Sequence, residues 1–425
     1  MKKLLFYSHN AYGSDTIRSA LSICRFLLAT IPDLTIKIIT GSSLIQRLRL
    51  PQGIEYVRLP SVHAEGAEGT TKALPRSLLV DQRAGLILRQ VVEFQPDLVL
   101  ADKTPYGENH ELLPFLAYRQ AHRPQTKVAL ILQDIIDNPS TIQERWEKQG
   151  YFAAMEHYYD QIFVLGSPRV FDVREEYGFS AALTAKTRFL GYMRCTRGRR
   201  HGTTVRRILG LGKQDPFVMV TAGEGPGDGA FLEHFLETLA SVPTHAGFTS
   251  LLALDGELSD GVQTRLRRRV AQLANVKTVV ASEDPMSYME AADLVVARSS
   301  YRAMCKILTL NKPAVVVPQR ELVQDQSIRA NRMARLGLLT MVNPEQLTAE
   351  SLIGTIQQAL KDKRRAMREA FPLPLDALPK LAEVVRTLLK LPPPYAAPPF
   401  PADHPGVFGT PSVEDRMKML LHIMR

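Results

Sequence analysis

What most constrains the fold is a recurrence of short, almost wholly apolar runs separated by longer amphipathic stretches. Lys3–Ser8, Thr35–Thr40, Glu55–Leu59, Leu98–Ala101, Lys127–Leu132 and Gln161–Leu165 read as strands. Leu98–Ala101 and Lys127–Leu132 show no polar alternation, as expected of parallel strands buried on both faces. Between the strands, Thr16–Thr30 places Ile17, Leu21, Cys24, Leu27 and Leu28 on one helical face, and Ser77–Val92 and Ile142–Tyr158 read as further helices. Strands separated by helices imply βαβ units with right-handed crossovers. The pattern closes at Arg188–Tyr192 and restarts with strands at Pro216–Ala222, Thr249–Leu254, Val276–Val280, Leu294–Ala297 and Ala314–Val317. Helices Ala230–Leu239, Ala303–Leu310, Gln326–Leu336, Thr348–Leu360 and Leu378–Lys390 fill the second half. The expected fold class is α/β, with two Rossmann-like domains facing a cleft. No tandem repeat relates the halves.

Length agrees, since 425 residues exceed the ~250–300 at which single cores stop growing. The boundaries read as an N-terminal domain over 1–193, a basic linker over 194–212 and a C-terminal domain over 213–375. A helix over 376–390 and a proline-rich tail over 391–425 follow. Prolines from Leu391 to Pro405 bar a regular helix or central strand, and Val413–Arg425 forms a last helical patch carrying Met417, Leu420 and Leu421. No stretch approaches the ~20 apolar residues that span a bilayer. Met1–Asn10 reads as a first strand rather than a signal peptide, because its apolar run is short and no small-residue cleavage site follows. Cys24, Cys195 and Cys305 lie far apart without metal-ligand spacing, which points to a reducing cytoplasm.

The net charge of +10 favours acidic partners: nucleic acid, anionic lipid or phosphorylated small molecules. Basic residues bunch at Arg194, Arg197, Arg199, Arg200, Arg206 and Arg207, from Arg265 to Arg269, and from Lys361 to Arg368. Solvated helix faces and a linker explain such runs most simply. Peripheral contact with an anionic membrane, at its cytoplasmic face, is the sharper reading.

Several polar constellations follow strand ends, where open α/β sheets bind ligands. In the first loop, Gly13, Ser14, Asp15 and Thr16 precede a helix whose backbone N–H groups can hold an anion. A single glycine there excludes a dinucleotide fingerprint, and capping by Ser14 or Asp15 explains the same residues. The second cluster runs from Asp102 and Lys103 to Glu111, where Asp102 or Glu111 is placed to act as general base towards an acceptor hydroxyl. Ordinary loop polarity is the competing explanation. Asp134 marks a third strand end, while Asp137 before Asn138-Pro139 looks like turn chemistry. Gly223, Gly225, Gly227 and Gly229 let a backbone approach phosphate closely, although Glu224 and Asp228 bring negative charge. No Gly-Lys-Ser/Thr follows, which excludes a P-loop NTPase. Finally, Arg298, Ser299, Ser300 and Tyr301 and the segment Gln319–Gln326 begin consecutive helices that can converge on one ligand. Arg298 suits a phosphate or a structural ion pair.

These residues carry a family likeness. Lys312–Pro318 with Asp325, Gln326, Arg329, Ala330 and Leu336-Gly337-Leu338 resembles the family 28-type glycosyltransferases, one of which adds N-acetylglucosamine to a lipid-linked peptidoglycan precursor. Asp102-Lys103, Pro105, Gly107, Glu111-Leu112, Asp134-Ile135, Gly166, Tyr177, Gly191-Tyr192 and Thr221–Gly229 resemble more closely a bacterial group of predicted glycosyltransferases. The resemblance spans roughly residues 3–360. It implies a GT-B fold and metal-independent transfer of a hexose, without a cofactor, from a nucleotide-diphospho-sugar to a hydroxyl acceptor. Nucleic acid is not an expected partner. Donor binding falls to Gly223, Glu224, Gly225, Arg298, Ser299, Ser300, Tyr301, Lys306, Asp325 and Gln326. The acceptor side takes Gly13, Thr16, Lys103 and Asp134, with Asp102, Glu111 and Asp15 as the catalytic candidates. Helix N-termini and basic groups would meet the leaving diphosphate.

Three parts of the site depart from the pattern. Asp15-Thr16 replace a glycine-histidine pair, and Ser300-Tyr301-Arg302-Ala303 replace Gly-Tyr-Asn-Thr. Lys306 stands where the related group has a glutamate that holds the nucleotide ribose, and lysine only donates hydrogen bonds. Lys306 and Arg302 would contact phosphate instead. The alternative functions are a catalytically lapsed GT-B-like binding or regulatory protein, and a nucleotide-sugar epimerase or hydrolase.

Overall fold

Strands that are apolar along their whole length must be covered on both faces, and the computed structural model shows how this chain achieves that. It describes residues 1–8, 15–61, 75–222, 228–241, 247–254, 258–280, 284–319, 324–369 and 373–392. The first domain builds a seven-stranded parallel sheet from β1 (Lys2–Ser8), β2 (Leu34–Thr40), β3 (Ile54–Arg58), β4 (Leu98–Asp102), β5 (Lys127–Gln133), β6 (Gln161–Leu165) and β7 (Thr187–Phe189). Its order is β3-β2-β1-β4-β5-β6-β7. Helices α1 (Asp15–Thr30), α2 (Arg76–Phe94), α3 (Leu113–His122), α4 (Pro139–Lys148), α5 (Tyr151–Tyr158), α6 (Val173–Glu176) and α7 (Ala181–Lys186) lie between the strands.

The second domain repeats the plan. It contains α8 (Gly202–Ile208), β8 (Phe217–Thr221), α9 (Asp228–Ser241), β9 (Thr249–Leu254), α10 (Asp260–Val270), β10 (Val276–Val280) and α11 (Pro285–Ala291). These are followed by β11 (Leu294–Ala297), α12 (Tyr301–Leu310), β12 (Ala314–Val316), α13 (Asp325–Arg335), β13 (Thr340–Met341), α14 (Ala349–Glu369) and α15 (Ala377–Leu388). The six-stranded sheet has the order β10-β9-β8-β11-β12-β13. Phe231, Phe235 and Leu236 of α9, Leu266 of α10, and Leu352 and Ile356 of α14 bury one face of it in a single apolar cluster. In both sheets the order reverses beside the domain's first strand, between β1 and β4 and between β8 and β11, which opens a crevice at the carboxyl ends.

The expected strands appear within a residue or two of their predicted ends, and tertiary structure explains the differences. The helix expected over Ile142–Tyr158 is two helices, broken where Gly150 takes φ +66. Within the basic linker, α8 forms because Val205 is buried and Gly202 lies close to Ala291 of α11. Arg206 then pairs with Asp293 at 3.3 Å. Helix α15 returns to the first domain, where Arg386 donates to the Thr30 carbonyl at 3.2 Å. Gly191 permits that return, since a Cβ there would sit 2.7 Å from the Pro374 carbonyl oxygen. Met1–Lys390 forms one unit, and Leu391–Arg425 a second. The helix expected over Val413–Arg425 lies outside the described residues.

Gly166, just beyond β6, makes the tightest approach to the site. A Cβ there would lie 2.6 Å from the Asp134 Cβ and 3.0 Å from its Cα. Gly166→Ala is expected to cost about 1–3 kcal/mol by overpacking, read as a lower urea midpoint at unchanged slope.

Candidate active site

The carboxyl end of the first sheet is built around a buried carboxylate. Glu111 is 1 % exposed and accepts from Tyr7 Oη at 2.8 Å, from Arg83 Nη2 at 2.6 Å and Nε at 3.0 Å, and from the Asn109 backbone N–H. Burial pushes its carboxyl up, but Arg83 and the Asn109 N–H pull it down further, leaving it below its ordinary value. Arg83 also reaches Glu108 and the Pro60 carbonyl, so β1, α2 and the loop after β4 are tied together. Glu111 therefore holds the loop that carries Asp102 and Lys103, with its charge matched by Arg83.

Asp102 is the contrast. It ends β4 and is 7 % exposed, and among the described residues no side chain or N–H bonds its carboxylate. Burial raises its carboxyl to about 7, against a smaller opposing pull from Lys103. Lys103 itself takes φ +66, an uncommon conformation for a side-chain-bearing residue. Tyr7 pairs with Ala101 across β1 and β4, which places Ser8 and Asp102 at neighbouring strand ends. The Ser8 hydroxyl is buried with no partner among the described residues, so an orphaned polar atom flanks the unpaired carboxyl at the switch point. Thr16 is buried in the first turn of α1. Gly13 and the Asp15 side chain lie outside the described residues.

On the second domain's carboxyl edge, the expected donor residues are largely engaged with one another. Arg298 lies over the Phe231 ring at 4.4 Å and donates from Nη1 to the Val317 and Pro318 carbonyls at 3.1 and 3.0 Å. Ser299 is buried and donates to the Gln326 carbonyl at 2.9 Å. Ser300 caps α12 by accepting from the Ala303 N–H, and Tyr301 stacks on Tyr192 with centroids 5.9 Å apart. The Gln326 side-chain oxygen accepts from the Gln319 N–H at 3.3 Å. Arg302, Lys306 and Thr309 share one stripe of α12, and Thr309 accepts from the Cys195 N–H of the linker at 2.9 Å. Burial pushes the Cys195 thiol up, while the charges of Arg302 and Lys306 pull it back. Gly223, Glu224 and Gly225 lie outside the described residues.

The carboxyl edges of the two sheets meet at Asp134. This residue, expected on the acceptor side, is 0 % exposed and forms an ion pair with Arg329 of α13 at 2.9 Å. Asp325, expected at the donor, pairs with the same arginine at 2.9 Å. Asp137 accepts from the Gln324 N–H at 3.0 Å, and Arg332 reaches Glu176 at 2.6 Å. Sequence reading singled out neither Arg83 nor Arg329 for a role in the site. Their signal was a cation on an apolar helical stripe, Arg83 with Ile87 and Val91, and Arg329 with Ala330 and Met333.

Two parallel Rossmann-like sheets joined at their carboxyl edges define the GT-B class. Residues 230–381 match the glycosyltransferase family 28 C-terminal domain. The UDP-N-acetylglucosamine–N-acetylmuramyl-(pentapeptide) pyrophosphoryl-undecaprenol N-acetylglucosamine transferase of Haemophilus ducreyi is 29% identical over 118 residues, which is 28% of this chain and 33% of that protein. The match thus spans about a third of that relative's length. The crystal structure of Acinetobacter baumannii MurG superposes with a TM-score of 0.58 at 15% identity, covering 91% of this chain and 100% of the other. UDP-GlcNAc 2-epimerase from Neisseria meningitidis, bound to UDP-GlcNAc, gives 0.55 at 13% identity, covering 92% and 100%. This chain is a GT-B protein related to glycosyltransferase family 28.

The raised Asp102 carboxyl has a consequence for stability. Its folded value, about 7, lies above the ordinary 3.8, so the protonated acid stabilises the fold at low pH and that contribution disappears as pH rises through 7. Asp102→Asn, which cannot ionise, is expected to gain stability relative to the parent between about pH 4 and pH 8. Urea unfolding at both pH values checks this, and an unchanged difference would show that the carboxyl is not raised.

Proposed function

We propose that the protein is a glycosyltransferase that moves a sugar from a nucleotide-diphospho-sugar to a hydroxyl acceptor, with Asp102 as general base. The supporting observation is Asp102 itself, buried at a switch point with its carboxyl at about 7 and no partner among the described residues. A base is most effective with a pKa near the working pH. In this reading Asp102 takes the acceptor hydroxyl proton as the oxygen attacks the anomeric carbon. The bond from that carbon to the diphosphate oxygen breaks, and the nucleoside diphosphate leaves. Glu111 positions the loop instead of accepting the proton, because Arg83 and Tyr7 occupy it.

The donor is proposed over the second domain. The family 28 match at residues 230–381 supports this, as does the UDP-N-acetylglucosamine in the name of the Haemophilus ducreyi relative. The N-terminus of α12 offers first-turn N–H groups and the positive end of a helix dipole to a diphosphate. Arg302 and Lys306 add cations on the same helix. Metal independence belongs to the proposal, and undiminished turnover in chelator is its test.

Peripheral contact with anionic lipid is the remaining part of this reading. Among the described residues no helix is long and apolar enough to cross a membrane. Arg194, Arg197, Arg199, Arg200, Arg207 and Lys213 are exposed, and no acidic residue occurs between positions 194 and 213. Gly198 seats this segment, since a Cβ there would meet Ser287 of α11. Asp284 and Ser287 hold the next two backbone N–H groups at 3.0 and 2.8 Å.

Asp102→Asn is expected to lower kcat by about 10²–10⁴-fold while leaving nucleotide-sugar affinity in calorimetry unchanged. Rates should rise with pH through about 7. Absence of binding by any nucleotide-sugar at millimolar concentration would defeat the transferase reading, and binding without product across an acceptor screen would favour the lapsed protein. For the lipid contact, the parent should sediment with phosphatidylglycerol vesicles at low salt, whereas a variant combining Arg199→Glu, Arg200→Glu and Arg207→Glu should stay in solution. Equal sedimentation of the two would remove the linker from that role.

A further inference from the structure

The guanidinium of Arg329 has every N–H matched. Nε lies 3.1 Å from each Asp134 oxygen, and Nη2 donates to Asp134 Oδ1 at 2.9 Å and to the Ile135 carbonyl at 3.2 Å. Nη1 donates to the Ser299 carbonyl at 3.0 Å and to Asp325 Oδ2 at 2.9 Å. The partners divide by domain. Asp134 and Ile135 begin the loop after β5, while Ser299 and Asp325 open the segments that lead into α12 and α13. Asp134 Oδ2 also accepts from Tyr192 Oη at 2.9 Å, and the Tyr192 ring stacks on Tyr301 at the start of α12. One buried ion pair therefore ties together two loops, two helix starts and the end of the first domain.

Stability alone is a poor account of this arrangement. Taking two charges out of water is expensive, and well-packed apolar residues of similar volume often replace such a pair without loss. Apolar side chains do not fix angle and spacing, as a fully matched planar fork does. The base proposed above ends β4, and β5 is its neighbour, with Asp102 paired to Ile131 three positions before Asp134. On the other side, Ser299 stands next to the Ser300 cap of α12. The guanidinium thus joins the strand beside the base to the helix start beside the proposed donor diphosphate.

We propose that Arg329 is a positioning residue for transfer, setting the distance and angle between the Asp102 carboxylate and the donor end of α12. The inference rests on the glycosyltransferase reading. Attack on an anomeric carbon needs the reacting atoms aligned, and a misplacement of about 1 Å costs on the order of 10²-fold in rate. Arg329 touches neither the base nor, in this reading, the reacting sugar. Its effect passes through Asp134, Ser299 and Asp325.

The test compares the full-length parent with two variants. The double substitution Asp134→Leu with Arg329→Met removes both charges together and is expected to stay folded at a lower unfolding temperature, since the Tyr192 hydroxyl and two buried carbonyls lose their partners. Its kcat should fall at least about tenfold with little change in the donor KM, and small-angle scattering should show a larger radius of gyration as the domains separate. Arg329→Lys keeps the charge but loses the planar fork, and should show the same split between kcat and KM. A folded double variant with parental kcat, or a folded Arg329→Lys variant with parental kcat, would overturn the proposal. If the parent transfers no sugar from any nucleotide-sugar, the glycosyltransferase reading fails separately. Scattering then decides alone, and a profile unchanged between parent and double variant would overturn the positioning role.

Discussion

The relation between the two halves of this protein depends on a charge buried where the sheets meet. An arginine and an aspartate, both at 0 % exposure, are tolerable in an apolar seam only when their hydrogen-bonding capacity is matched. Matching places strict demands on the neighbours. Gly166 must lack a side chain because Asp134 fills its space, Tyr192 must present its hydroxyl, and the Ile135 and Ser299 carbonyls must turn inward. The rim contacts contribute less. Arg332 and Glu176 remain partly exposed, and pairs of that kind are screened and weak.

Buried carboxylates of the same chemistry have been given different work by their surroundings. Glu111 has Arg83, Tyr7 and a backbone N–H, which stabilise its charged form and lower its pKa. Asp134 has Arg329 and Tyr192. Asp102 has burial opposed only weakly by Lys103, which lifts its carboxyl to about 7. Groups whose charge is fully matched hold structure in place. A group left between its two protonation states near neutral pH is the one suited to moving a proton. The member without a hydrogen-bond partner among the described residues sits beside the Ser8 hydroxyl at the β1–β4 switch point, where the proposed base lies.

The sheets were legible because parallel strands covered on both faces must read as unbroken apolar runs. Leu98–Ala101 and Phe217–Thr221 are examples that the structure places at or next to the centre of each sheet. Strand ends, and hence Asp102, Asp134 and Arg298, followed from that alternation. What stayed hidden were the partners. Nothing local to Glu111 announces Arg83, 28 positions earlier, and nothing local to Asp134 announces Arg329, 195 positions later. The break at Gly150 and the folding of α8 are likewise tertiary outcomes, the first set by a left-handed glycine and the second by packing on α11.

The start of α12 combines a residue that matches the related group with others that depart from it. Tyr301 keeps the tyrosine of that pattern and stacks on Tyr192, which in turn bonds Asp134, so this position serves the joint between the halves. Arg302 and Lys306 lie on the stripe that meets the linker at Thr309 and Cys195. The linker itself carries further cations and no acid between positions 194 and 213, so the edge of α12 that faces it is cationic. A ribose diol needs an acceptor that lysine does not supply. In the proposed reading, a nucleotide seated against this helix is held there through its phosphates.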